Sequence, residues 1–137
     1  MMHKSKTAIL LLLLLCVAAA SDIGEDQSTV HVEVWNKLEA KSNIIIHCKS
    51  KDDDLGIFTV LPNQAFTFHF RRNFFASTLF FCGIYTEHAQ GTYDIYKFTR
   101  DGNRCYKCTW AVKESGVYGF ADGNSISDIF YKWTVVH

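Results

Sequence analysis

Residues 30–36 read "VHVEVWN", and the alternation in that stretch decides the fold. Val30, Val32 and Val34 fall on one face of an extended chain and His31 and Glu33 on the other, because successive side chains of a β-strand leave opposite faces. The same period recurs downstream. In residues 43–49, "NIIIHCK", Ile44, Ile46 and Cys48 align; in residues 65–71, "AFTFHFR", Phe66, Phe68 and Phe70 align against Thr67 and His69. Residues 78–85, "TLFFCGIY", are apolar on both faces, the pattern of a central strand. "TYDIYKFT" (92–99), "CYKCTWAV" (105–112) and "DIFYKWTVV" (128–136) continue the series. Turn residues punctuate it at Pro62-Asn63, Asp101-Gly102-Asn103, Ser115-Gly116 and Asp122-Gly123-Asn124. Beyond the N-terminus no window shows a helical period. The pattern predicts an all-β chain, an antiparallel β-sandwich of about seven to nine short strands.

The N-terminus is of another kind. His3, Lys4 and Lys6 precede an unbroken apolar run over residues 8–20, "AILLLLLLCVAAA", which ends on Ala18 and Ala20 before Ser21. A basic head, an apolar middle and a small-residue exit describe a secretory signal peptide over residues 1–20. The run falls short of the roughly 20 apolar residues that span a bilayer, so no membrane insertion is expected. The polar, aperiodic residues 21–29 read as a flexible lead-in, and residues 30–137 as one domain.

Cleavage after Ala20 would take Lys4 and Lys6 from the 14 basic residues and leave all 14 acidic ones. A slightly acidic protein lacks the dense basic patch on which nucleic-acid affinity rests. Cys16 would leave as well. The remaining Cys48, Cys82, Cys105 and Cys108 are an even set in a small secreted chain, which reads as two disulfides. If "CYKCTWAV" is strand throughout, Cys105 and Cys108 leave opposite faces, while Cys108 and Cys48 both point to apolar interior. The expected pairs are therefore Cys48–Cys108 and Cys82–Cys105.

Residues 47–56, "HCKSKDDDLG", interrupt the apolar pattern with charges of both signs. Residues 49–54 contain no apolar side chain that could tuck inward, so they are expected to form a loop, with Leu55 anchoring its far end and Gly56 letting the backbone turn. Loops on a rigid scaffold commonly carry binding specificity. Lys49, Lys51, Asp52, Asp53 and Asp54 are the candidate partner-binding residues.

These stretches together carry a family likeness. "VHVEVWNKL" followed by "IIIHCKSKDDDLG", then "FTFHF", "TLFFCGI", "YDIYKFTRD", "CYKCTWAV" and a late "YKW" resemble the plant self-incompatibility protein family, the S-protein homologues, in order and over residues 30–133. The four cysteines fall where that family places its four. The resemblance implies a small secreted plant protein folded as a β-sandwich, without enzymatic activity or cofactor. In the best-known members the stigma secretes a ligand that pollen recognises, which implies an extracellular or cell-surface protein partner. Many members carry an N-glycosylation sequon; here only the rare Cys variant "NRC" at Asn103 remains.

Other chemistries compete poorly. A zinc site built on Cys105-x-x-Cys108 wants a second close pair, which Cys48 and Cys82 do not supply. A redox pair of that spacing wants a strand-to-helix junction. Calcium loops place oxygens on alternate residues with a glutamate beyond, whereas Asp52, Asp53 and Asp54 are adjacent. No nucleophile elbow, zinc-protease helix or phosphate loop occurs. The reading is a monomeric secreted recognition or signalling protein with no catalytic or metal residues, the alternatives being a small secreted hydrolase or a defence protein.

Overall fold

The computed structural model describes residues 29–72 and 77–137. The expected signal peptide, and the lead-in up to residue 28, lie outside the described residues.

Among the described residues, ten strands and one helical turn follow in order: β1 (Thr29–Asn36), β2 (Ile44–Lys49), β3 (Asp54–Val60), β4 (Ala65–Arg71), β5 (Leu79–Tyr85), β6 (Ala89–Lys97), α1 (Phe98–Asp101), β7 (Lys107–Lys113), β8 (Gly116–Phe120), β9 (Ile129–Lys132) and β10 (Val135–Val136). They form two five-stranded sheets, ordered β4-β1-β7-β8-β9 and β10-β6-β5-β2-β3. The all-β sandwich is as the alternation requires, with two differences. It has ten strands rather than seven to nine, because short β9 and β10 both come from the closing run. It is also not wholly antiparallel: β1 and β7 pair in parallel, Val32 beside Cys108 and Val34 beside Trp110. Alternation marks which face is buried but says nothing about strand direction.

The period-2 faces converge on one core. Val30, Val32, Val34, Ile44, Ile46, Ile84, Ile95, Trp110 and Val112 are fully buried. Phe66, Phe68 and Phe70 face inward but are only partly buried, since β4 is an edge strand. Their rings bridge the sheets: Phe66 stacks on Phe58 at 4.9 Å, and Phe70 lies 4.7 Å from Phe80 and 4.8 Å, edge-on, from Tyr96. Trp110 donates its indole N–H to the Ile95 carbonyl at 3.0 Å, tying one sheet to the other. Gly119 on β8 makes room for it; a Cβ there would come within 2.8 Å of the indole.

Among the described residues, the buried side chains of Asn36 and Asp101 are both hydrogen-bonded. Asn36 donates to the Ser42 and Val60 carbonyls at 2.8 and 3.0 Å and accepts from the Leu38 N–H, pinning the end of β1 to the opposite sheet. Asp101, at the end of α1, accepts from the Lys97 N–H (2.8 Å), from Arg100 (2.8 and 2.7 Å) and from Arg104 (3.1 Å). Arg104 continues to Asp128 at 2.7 and 2.6 Å. The network anchors the crossing from one sheet to the other.

The disulfides correct the expected pairing. They are Cys48–Cys82 and Cys105–Cys108, with Cα–Cα separations of 4.0 and 5.3 Å. Cys48 and Cys108 do both point inward, but from different sheets, and each has a partner closer at hand. Cys48 instead sits directly opposite Cys82 on the β2–β5 ladder. Cys105 is not on a strand at all. β7 begins at Lys107, and Cys105 belongs to the turn after α1, its N–H bonded to the Asp101 carbonyl at 3.1 Å. Strand alternation therefore does not govern Cys105, and its side chain swings onto Cys108.

Candidate recognition loop

Of the five candidate residues, the structure puts Lys49 at the last position of β2 and Asp54 at the first of β3, opposite each other in the ladder. The loop proper is residues 50–53, shorter than the expected 49–54, because the closing pair is already strand. Ser50 organises it: its N–H donates to the Asp53 carbonyl at 2.7 Å, and its hydroxyl accepts the Asp53 N–H at 3.1 Å. These two bonds close the turn without drawing on any charged side chain. Lys51, Asp52 and Asp53 are exposed.

Asp54 behaves differently from the other two aspartates. Its Oδ1 accepts the Gly56 N–H at 2.9 Å and lies 2.6 Å from His47 Nε2. The Gly56 N–H, then the His47 contact, hold its carboxyl below the ordinary value of 3.8. Gly56 has φ +89°, a left-handed conformation that a side chain would strain, so the glycine sets the path into β3. Leu55 packs partly buried against the core, anchoring that end. A β-bulge between His47 and Lys49 adjusts the register at this point. Asp54 is thus part of the hairpin's construction, whereas Lys51, Asp52 and Asp53 stand exposed on the loop.

The scaffold beneath is braced by a disulfide. Cys48 is one residue before Lys49, and its bridge to Cys82 locks β2 to β5 immediately under the loop. Sequence reasoning located the loop but missed the His47–Asp54 contact. The usable signal was a histidine and an aspartate at either flank of a short polar turn, where a closing strand pair brings side chains together.

Two other carboxyls share the logic of Asp54. The Glu39 and Ala40 N–H groups bind the Glu114 carboxylate at 2.8 and 3.1 Å and hold it below 4.5, and Arg104 holds Asp128 below 3.8. A depressed folded-state pKa contributes stability above the unfolded value and loses it as pH falls through the folded one. The expected melting temperature is therefore insensitive to these groups above pH 5 and declines progressively below about 4. Asp128→Asn should flatten that acid slope, measured by thermal unfolding across pH; an unchanged slope would remove Asp128 from the account.

Comparison with known proteins matches this geometry to a named group. The family described as plant self-incompatibility protein S1 matches residues 31–133. S-protein homolog 6 of Arabidopsis thaliana is 44% identical over 89 residues, 64% of this chain and 65% of that protein. S-protein homolog 24 is 40% identical, and the chain spans 59% of its length. S-protein homolog 29 is 31% identical over 97% of this chain and 99% of its own. Among solved structures, one of the self-incompatibility protein homologues, described as small, highly stable, secreted plant proteins, superposes with a TM-score of 0.58 over 77% of this chain and 95% of its own, at 12% identity. The structural likeness carries the fold, and the sequence matches carry kinship. The family match over residues 31–133, with relatives of the same family aligned along nearly the whole chain, places the chain in the plant self-incompatibility protein S1 family.

Proposed function

We propose that this chain is a small secreted, non-enzymatic recognition protein that signals outside the cell through a cell-surface protein partner. The observation that carries the reading is the hairpin loop of residues 50–53. Its backbone is closed by Ser50, its footing is fixed by the Cys48–Cys82 bridge, and among the described residues the charges on Lys51, Asp52 and Asp53 meet no side-chain partner. A pre-ordered loop loses little entropy on binding, and charges at an interface rim steer encounter and suppress wrong partners. Membership of a self-incompatibility family supports the extracellular setting. Among the described residues, no helix is long and apolar enough to cross a membrane.

Saturable, self-competed binding of labelled protein to intact plant cells, abolished by protease treatment of the cells, is the expected result. Uptake that never saturates would contradict a specific partner. Secretion has its own check. The processed chain is expected to begin at or near Ser21, and recovery from the extracellular fluid of a chain starting at Met1 would overturn the signal peptide.

A further inference from the structure

A second surface is built on the outer face of the other sheet and shares no residue with the loop. Because Val30, Val32, Val34 and Asn36 face inward, Trp35 faces out, beside its ladder partner Ala111. Thr109 and its partner Phe120 form the next row. Two small side chains between two rings make this face concave. With Asn124 and Ser125 of the loop before β9 as a wall, they enclose an open cleft of about 880 Å³. That volume falls in the range of small-molecule sites, which join an apolar floor to a few placed polar groups.

The electrostatics narrow the ligand. Trp35 is locked by its indole N–H bond to Glu33 at 3.0 Å. The Lys37 ammonium lies 5.0 Å from the Trp35 ring centre and the Lys113 ammonium 5.2 Å from that of Tyr118. Neither forms an ion pair among the described residues, whereas Lys107 is 3.6 Å from Glu33. The lining thus sets three lysines, Lys37, Lys107 and Lys113, against two carboxylates, Glu39 and Glu114, the latter held ionised by two backbone N–H groups. Two ammonium groups without carboxylate partners thus flank an aromatic floor edged with hydroxyl and amide groups.

We infer that this cleft binds an acidic saccharide, a short chain of sugar rings carrying carboxylates. The C–H face of a sugar ring lies flat on Trp35 and Phe120, its hydroxyls meet Thr109, Asn124 and Ser125, and its carboxylates reach Lys37 and Lys113. An extended peptide gains far less here. β1, β7 and β8 are interior strands of their sheet, so no free edge offers the ladder hydrogen bonds by which sheets capture peptides.

The test titrates the disulfide-intact protein with a uronic-acid trimer, its neutral methyl ester and a triglutamate peptide, followed by amide chemical shifts and tryptophan fluorescence. The acidic trimer is expected to saturate, with shifts centred on Trp35, Ala111 and Ser125. The ester and the peptide should each bind at least about tenfold more weakly, and added salt should weaken the acidic trimer. Trp35→Ala should abolish binding. Should that variant fold poorly, the exposed double substitution Lys37→Gln with Lys113→Gln should still cost at least about tenfold, since it removes both unpaired cations. No saturation by the acidic trimer, equal binding of the ester or the peptide, shifts located elsewhere, or full binding by the lysine variant would each overturn the assignment.

Discussion

Asp101→Ala is expected to lower folding stability by about 3–5 kcal/mol, among the largest losses any single substitution in this chain would cause. The carboxylate is fully buried and neutralises two guanidinium groups while capping the Lys97 N–H. Without it, Arg100 stays packed 5.6 Å from the Trp110 ring with its charge uncompensated, and α1 loses the contact that ends β6. Losing one partner of a buried pair costs far more than the pair contributes over an apolar substitute. Asp128→Ala is the control. That carboxylate also binds Arg104, but its side chain is 42% exposed, so its loss should cost at most about 1 kcal/mol. Denaturant unfolding of both variants settles the matter: similar small losses would mean the network does not anchor the crossing.

The two disulfides should be unequal. Cys48–Cys82 closes a loop across a sequence separation of 34, whereas Cys105–Cys108 spans only 3. If a cross-link acts chiefly by restricting the unfolded chain, the long bridge contributes about 4 kcal/mol and the short one about 2. Replacing Cys48 and Cys82 together with alanine should therefore destabilise roughly twice as much as replacing Cys105 and Cys108. The long-bridge variant should also loosen the β2–β5 ladder beneath the loop of residues 50–53. Non-reducing peptide mapping that links Cys48 to Cys108 would contradict the pairing, and equal losses would contradict the entropic explanation.

Fold class was legible in the sequence because burial in a sheet is written as a period of two, and "VHVEVWN" shows it without interruption. The buried faces of β1 and β2 and the ring series of Phe66, Phe68 and Phe70 follow from that rule alone. What failed were inferences that extended the rule past a strand's end. "CYKCTWAV" looks like one strand, yet α1 and its turn carry Cys105 into a helical bend that a four-residue helix does not announce by periodicity. The parallel β1–β7 pairing is equally silent, since direction depends on how distant segments meet. In the candidate loop, the charges and the Leu55–Gly56 exit could be read directly. The division of labour among three adjacent aspartates could not, because only the ladder brings Asp54 to His47 and leaves Asp52 and Asp53 outside.

That division makes the central claim testable in one measurement. Asp52→Asn with Asp53→Asn removes two exposed charges that have no side-chain partner among the described residues, so stability should stay within about 0.5 kcal/mol of the parent. Binding of the labelled double variant to intact plant cells is then compared with that of the parent. The account predicts an affinity at least about tenfold lower at unchanged melting temperature, with the greater difference at low salt. A normally folded double variant that binds as tightly as the parent would contradict it, and would leave the loop as solvated surface.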